Sequence, residues 1–264
     1  MMRYLILPLL ALGASATYAQ SVYIEDLTWT EVRDAIAAGK TSAIIYAGST
    51  EQNGPHLALG KHTFIAHYVA GRIAEELGDA LVYPTMPFAP TGDFVLKTGH
   101  LRFPGSVSVN SEVFLGVMSQ VALSAINAGF TQVYLMGDHG GGQSELKLAA
   151  ENLDREWSVK GVHVRYVPDS YFKEQTQSAQ YLKDHGIVPD EHAGADDTSE
   201  MMFLDSAHKW IRSDKVAVSD SAMEPKTGVV GDPTKATAAM GKVFLDFKVN
   251  DALAQIRALR SAKP

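Results

Sequence analysis

The chain has 264 residues, of which 46% are hydrophobic, and this length can bury the core of one large α/β domain. A formal net charge of −7, with lysines and arginines scattered along the chain, argues against a nucleic-acid partner or an anionic membrane surface. Since the sequence contains no cysteine, it can form no disulfide, and any metal ion must be bound by His, Asp or Glu.

The first nineteen residues have the pattern of a secretory signal peptide. Arg3 precedes an apolar run at residues 4–12, and small residues follow as far as Ala19, where a signal peptidase would cleave. The run is too short to span a bilayer, which makes a retained membrane anchor the weaker interpretation. We therefore expect a single mature domain at residues 20–264, periplasmic or secreted, with no membrane contact in its mature form.

Apolar runs and helical periodicities alternate along the mature chain. The continuous apolar runs predict buried strands at residues 42–47, 81–86, 132–136 and 163–167, and a further short strand at 106–109. Helical spacing and capping residues predict helices at residues 26–39, 63–77, 111–128, 144–157 and 236–259, and a polar helix is expected at 173–184. This βαβα order favours an α/β fold with a largely parallel sheet and helices on both faces.

Side chains that can bind metals concentrate at the predicted strand ends and in glycine-rich loops. They fall in four places: Glu51, His56 and His62; His100; Asp138 and His139; and Glu191, His192 and Asp197. Hydrolytic sites without cysteine are built from such residues, with three protein ligands and an open position for water. Spacing alone leaves open that His56 and His62 are polar loop residues. His139 carries the stronger signal, because the glycines after it let the backbone come close to a bound group.

Two other kinds of site fit the sequence poorly. The glycines after His139 could form a phosphate-binding loop, but no Gly-Lys-Ser/Thr and no Gly-x-Gly-x-x-Gly follows the first strand. A serine nucleophile would be expected in a Gly-x-Ser-x-Gly turn, which the chain also lacks. Nucleotide binding and Ser-His-Asp hydrolysis are therefore disfavoured.

Five motifs spread over nearly all of the mature chain resemble those of the creatininase family of amidohydrolases. In chain order they are GSTEQNGPHL at 48–57, HLRFPG at 100–105, HGG at 139–141, HAGADDTS at 192–199 and GVVGDPTKAT at 228–237. The resemblance implies a three-layer α/β sandwich with a mostly parallel central sheet flanked by helices. It also implies homo-oligomers, in this family hexamers, and hydrolysis of C–N bonds in small amides by a pair of metal ions.

Two metal-binding positions of the family pattern differ in this chain. Asn53 stands where the family has His, and His62 stands where the family has an Asp that bridges the two ions. Asn is a poor ligand and a neutral imidazole cannot bridge two ions as a carboxylate does. The resemblance then implies one ion, on Glu51, His62 and His139, with zinc preferred and manganese the alternative. A two-metal site rebuilt with Asp138 or Asp197 as the bridging ligand stays open.

The remaining candidates would surround that ion. Asp138 or Asp197 would take the proton of the attacking water, and His192, at the position of a proton-transferring His in the family, would protonate the leaving group. The side chains expected to touch the substrate or support the ligands are Asn53, His56, His100 and Glu191.

The sequence thus predicts an exported metal-dependent hydrolase that opens a small amide, cyclic amide or lactone other than creatinine. The alternative is a catalytically silent, creatininase-like protein that binds a small molecule. The retention of Glu51, His139 and His192 together favours the enzyme.

Overall fold

The computed structural model describes residues 21–189, 191–216 and 226–262. The predicted signal peptide and its cleavage point after Ala19 lie outside these residues. The sheet has four parallel strands in the order β2-β1-β3-β4, which are β1 (Ser42–Ala47), β2 (Ala80–Val82), β3 (Gln132–Gly137) and β4 (His163–Tyr166). The α-helices of the described part are α1 (Trp29–Ala37), α2 (Lys61–Leu77), α3 (Ser111–Ala128), α4 (Gln143–Trp157), α5 (Asp169–Asp184), α6 (Ala195–Leu204) and α7 (Ala238–Ser261).

Helices cover both faces of the sheet, which confirms the predicted three-layer α/β sandwich. Successive side chains of a strand point to opposite faces, and every residue of β1 is buried. Ile44 and Tyr46 pack with α2, α6 and α7, whereas Ala43 and Ile45 pack with α1, α3 and α4. Among the described residues, no helix combines the length and the apolarity needed to cross a lipid bilayer.

The predicted strand at residues 81–86 is shorter than expected. Its ladder ends at Val82, although the Met86 amide still donates to the Tyr46 carbonyl at 3.1 Å. Pro84 and Pro87 interrupt the ladder because proline has no N–H to donate. The predicted strand at 106–109 is likewise reduced to isolated bridges.

Several helix boundaries differ from the prediction, and the largest difference is in α5, which begins at Asp169 and not at residue 173. Helix α2 begins at Lys61, two residues early, and Thr63 does not cap it, because the Thr63 hydroxyl donates to the Ser49 carbonyl at 3.1 Å. Helix α6 was not predicted, since its buried positions include the polar Thr198, Ser199 and Glu200.

The fold brings two loops together at one edge of the sheet. Strands β1 and β3 are neighbours, and Ala47 pairs with Gly137, so both chains leave the sheet at the same level. Gly48 follows β1 directly, and a Cβ there would lie 2.6 Å from the backbone of Thr63. The missing side chain therefore lets the start of α2 pack onto the end of β1, which places His62 beside the loop that carries Glu51.

Candidate active site

A pocket of about 250 Å³ lies at the carboxyl ends of β1 and β3. Eight of the residues predicted from the sequence line it: Glu51, His62, His100, Asp138, His139, Glu191, His192 and Asp197. Asn53 and His56 do not. Parallel α/β sheets bind ligands at this edge, so the structure assembles most of the predicted residues where a site is expected.

The Glu51 carboxylate lies between two imidazoles. Its Oε1 is 3.1 Å from His62 Nε2, and its Oε2 is 2.8 Å from His139 Nε2. The loop holds the residue in place through a hydrogen bond from the Glu51 amide to the Leu59 carbonyl at 2.9 Å. Burial by itself would raise the pKa of Glu51, but His62 and His139 hold it well below the usual range. Glu51 is therefore a buried, ionised carboxylate that two Nε2 atoms face.

His62 is oriented by a second carboxylate on its other nitrogen. Its Nδ1 lies 2.8 Å from Asp138 Oδ2, and Lys248 Nζ lies 3.1 Å from Asp138 Oδ1. Burial would raise the pKa of Asp138, but Lys248 and His62 lower it. Burial and Lys61 oppose protonation of His62, yet Glu51 and Asp138 raise its pKa. A carboxylate on Nδ1 fixes both the ring and its tautomer, as in histidines that bind metals through Nε2.

This placement differs from the sequence-based expectation that Asp138 is a proton acceptor for water. The Asp138 side chain is 1% exposed, and its two oxygens lie against His62 and Lys248. Although Asp138 lines the pocket, both of its oxygens are thus engaged by charged or titratable partners. Its geometry suits the positioning of His62.

His139 Nδ1 lies beside both a donor and an acceptor. Its Nδ1 lies 3.0 Å from the Gly141 amide and 3.1 Å from the Gly141 carbonyl. With the proton on Nδ1, the ring donates to that carbonyl and the Nε2 lone pair faces Glu51.

The contacts of Gln52 indicate which ring nitrogen of His100 and of His192 carries the proton. The Gly54 amide donates to Gln52 Oε1 at 3.0 Å, so Gln52 Nε2 is the donor towards His100 Nδ1 at 3.1 Å. The His100 proton is then on Nε2, which faces Glu51 Oε2 at 3.7 Å. His192 Nε2 donates to the Gln52 carbonyl at 2.8 Å, which leaves the Nδ1 lone pair free of this bond. In this hydrogen-bond network His100 can donate from Nε2 to Glu51, and His192 can accept a hydrogen bond at Nδ1.

Glu51, His100 and His192 also converge, with one potential ligand atom from each within 4.8 Å of the others. The Nε2–H tautomer of His100 argues against this set as the metal site, because a protonated nitrogen has no lone pair to give. Burial and Lys61 together lower the pKa of His192 to about 4. His192 is therefore neutral near pH 7 and can accept a proton.

Asp197 forms a buried ion pair with Lys61, which sequence reasoning missed. Lys61 Nζ lies 2.5 Å from Asp197 Oδ2, and the Ala193 amide donates to the same oxygen at 2.7 Å. Burial would raise the pKa of Asp197, but Lys61 and His192 hold it well below the usual range. Burial would lower the pKa of Lys61, but Asp197 and Glu51 raise it. Asp197 was expected to accept a proton from water, but its Oδ2 is already bound to the Lys61 ammonium.

A second buried lysine was also missed. Lys248 of α7 lies 3.0 Å from Glu174 and 3.6 Å from Glu200, in addition to its contact with Asp138. Burial raises the pKa of Glu200 well above its usual value in spite of Lys248. The only sequence signal for either lysine is a charged residue inside an otherwise apolar stretch.

The three other predicted residues lie around this centre. The Asn53 amide donates to the Glu51 carbonyl at 2.8 Å, and His56 Nε2 lies 2.9 Å from Thr198 Oγ1. Both side chains are buried and hold the loop after β1 in shape. Glu191 is exposed at the pocket wall.

Comparison with known proteins places the chain in a family. The Creatininase model, described as creatinine amidohydrolase, matches residues 25–256. A mycofactocin precursor peptide peptidase of Mycolicibacterium smegmatis is 29% identical over 220 residues, covering 81% of this chain and 83% of that protein. The creatinine amidohydrolase of Pseudomonas putida is 25% identical over 258 residues, covering 90% and 97%.

Solved structures agree with the fold. A creatininase solved with Mn superposes with a TM-score of 0.78 at 23% identity, covering 92% of this chain and all of that one. A mutant creatininase of the Zn-Zn type gives 0.77 at 22% identity, again over 92% of this chain. Since the family model spans most of its length, the chain is a member of the creatininase family of hydrolases.

Proposed function

We propose that this chain is an exported, metal-dependent hydrolase that cleaves a C–N bond in a small amide or cyclic amide through a metal-activated water. One observation carries the proposal: the buried Glu51 carboxylate lies within 3.1 Å of His62 Nε2 and 2.8 Å of His139 Nε2. One Glu and two His with an open position form a recognised set of ligands for catalytic zinc.

The residues present fit a divalent ion. Glu51 Oε2 is buried, and His139 Nε2 lies 2.8 Å from it. A buried carboxylate flanked by two Nε2 atoms offers the oxygen and nitrogen donors of a zinc site. Both imidazoles have an acceptor for an Nδ1 proton, Asp138 for His62 and the Gly141 carbonyl for His139. We propose one ion on Glu51, His62 and His139, zinc before manganese.

When bound, the ion would act as a Lewis acid and lower the pKa of a water molecule towards about 7. His192 would accept the proton of the attacking water at Nδ1, because its Nε2–H is held by the Gln52 carbonyl. It would then return that proton to the departing nitrogen. Sequence reasoning assigned this residue only the second step, and the Nδ1 atom, which the bond to Gln52 leaves free, supports the first.

The pocket favours a small, polar substrate. Its volume is about 250 Å³ and titratable side chains make up most of its wall. The relatives are named for an amidohydrolase and a peptidase, so an amide is favoured over a lactone. Export after cleavage at Ala19, and assembly into a homo-oligomer such as a hexamer, complete the proposal.

The test is a hydrolysis screen with the mature chain loaded with zinc or with manganese. Small linear amides, cyclic amides, dipeptides and lactones would be offered, and release of amine or acid measured. We expect turnover of a compound with a C–N bond, lost on chelation and restored by metal. If the folded chain takes up no metal and only binds compounds unchanged, the silent binding protein is the correct account.

A further inference from the structure

Lys61 is a buried ammonium in the wall of the pocket. It is the first residue of α2, and its side chain is 1% exposed. A buried charge is costly unless it is paired, and a cation at a helix N-terminus also meets the positive end of the helix dipole. An unpaired lysine here would destabilise the fold, and the ion pair with Asp197 offsets that cost. The pair also places a fixed positive charge in the wall of the pocket.

The partner of Lys61, Asp197, also lines the pocket and accepts two short contacts. Asp197 Oδ2 forms an ion pair with the Lys61 ammonium at 2.5 Å and accepts a hydrogen bond from the Ala193 amide at 2.7 Å. Ala193 has a φ of 52°, a left-handed conformation that is uncommon for alanine. This turn also sets the position of His192, which precedes Ala193. Asp197 and His192 are thus fixed next to each other by a strained backbone.

Two carboxylates of the pocket have different partners, and we call the surroundings of Glu51 the first pole and those of Asp197 the second pole. Glu51 faces two imidazole Nε2 atoms, which can become ligands of a divalent ion. Asp197 and the neutral His192 could likewise offer an oxygen and a nitrogen to a cation. At this second pole, however, the cation present is the Lys61 ammonium.

We propose that Lys61 is a built-in cation that occupies the second pole of the pocket and keeps a second divalent ion out. The chain then binds one ion, on the Glu51 side, and Lys61 supplies the second positive charge of the site. The inference rests on the proposed function because it takes the Glu51 ion as given. A fixed ammonium repels a divalent ion at close range most strongly in a buried site, where solvent screens it least.

The experiment compares ions bound per chain in the mature protein and in Lys61→Met, by elemental analysis after equilibration with excess zinc and removal of free metal. We expect the variant to bind one ion more than the unchanged chain. Lys61→Arg, which keeps the charge, should bind the same number as the unchanged chain. Lys242→Met removes a lysine that pairs with Asp246 on an exposed face of α7 and serves as the matched control.

Two further variants separate the explanations. The double variant Lys61→Met/Asp197→Asn should lose the extra ion, because the second pole then lacks its carboxylate. Equal ion counts in Lys61→Met and the unchanged chain would overturn the inference. If Lys61→Met does not fold, Lys61→Gln, which is also uncharged, replaces it with the same expected gain of one ion. Saturation of the unchanged chain at two ions, with one lost in Asp197→Asn, also overturns the inference.

The proposed function fails independently of this result. It fails if the unchanged chain binds no ion. Lys61→Met could still bind one ion at the second pole in that case, which would support the role of Lys61 alone.

Discussion

His62 Nδ1 lies 2.8 Å from Asp138 Oδ2, and this contact decides which nitrogen of His62 is free for the pocket. The carboxylate accepts the Nδ1 proton, so Nε2, which faces Glu51, is the nitrogen that would bind a metal ion after losing its proton. The structure therefore links the charge of Asp138 to the ability of His62 to bind a metal.

Asp138→Asn should weaken zinc binding by about 10- to 100-fold, because an amide orients His62 less firmly and makes its Nε2 less basic. Competition with a chromophoric chelator gives the dissociation constant. Asp154→Asn is the matched control, since Asp154 contacts His163 at 3.2 Å far from the pocket. Equal affinity in Asp138→Asn and the unchanged chain would argue against a positioning role for Asp138.

His192→Gln should retain its zinc and lose turnover by about 10²- to 10⁴-fold, the usual contribution of a proton-transferring group. The substrate is the compound identified by the hydrolysis screen. Metal content and turnover are measured on the same sample, with the exposed His185→Gln as control. Loss of the metal together with the activity would instead favour the convergent set of Glu51, His100 and His192 as the ligands.

The metal-free chain should lose stability as the pH rises through the pKa of His62. Burial and Lys61 lower this pKa, but Glu51 and Asp138 together raise it above the usual value for a histidine. A group with a raised folded-state pKa stabilises fully below its unfolded pKa, and that contribution disappears above the folded one. The measurement is urea unfolding of the metal-free chain and of His62→Gln, from about pH 6 to about pH 9.

The free energy of unfolding of the unchanged chain, minus that of His62→Gln, should fall with rising pH. His185→Gln gives the background for an exposed imidazole. A difference that grows with pH would contradict the raised pKa of His62.

Gly241→Ala should destabilise the fold by at least about 1–3 kcal/mol, as overpacking does. A Cβ at Gly241 would lie 1.8 Å from the Ser199 carbonyl oxygen, where α7 crosses α6. Gly116→Ala, in helix α3, is the matched control, because nothing lies within 4 Å of its added Cβ. That change should stabilise the chain by up to about 1 kcal/mol. Urea unfolding compares the two, and similar effects would mean that the helices do not approach so closely.

The sequence predicts the central part of the sheet and the main helices well because their signals are local. Strand β1 is a continuous apolar run, and β3 is another that ends in Gly137. Helix α6 has no such signal, because the polar Ser199 and Glu200 are buried against α7. Only the packed structure explains why those side chains can be inside.

The site could be predicted only in part for a similar reason. Glu51 and His62 are close in sequence, and the structure brings His139 to them because β1 and β3 pair directly. A buried lysine can be predicted only if its carboxylate partner is known. Lys248 and its partner Glu174 are 74 residues apart, so the sequence does not reveal the pair. Sequence spacing therefore gives the candidate ligands but not the ion pairs that set their charges.

Metal content per chain is the most direct test of the central claim. Elemental analysis would be made on the mature protein purified without added metal or chelator, and on His62→Ala prepared in the same way. The proposed site predicts about one zinc per chain in the unchanged protein and none in His62→Ala. Full metal content in His62→Ala would contradict the assignment of the ion to Glu51, His62 and His139.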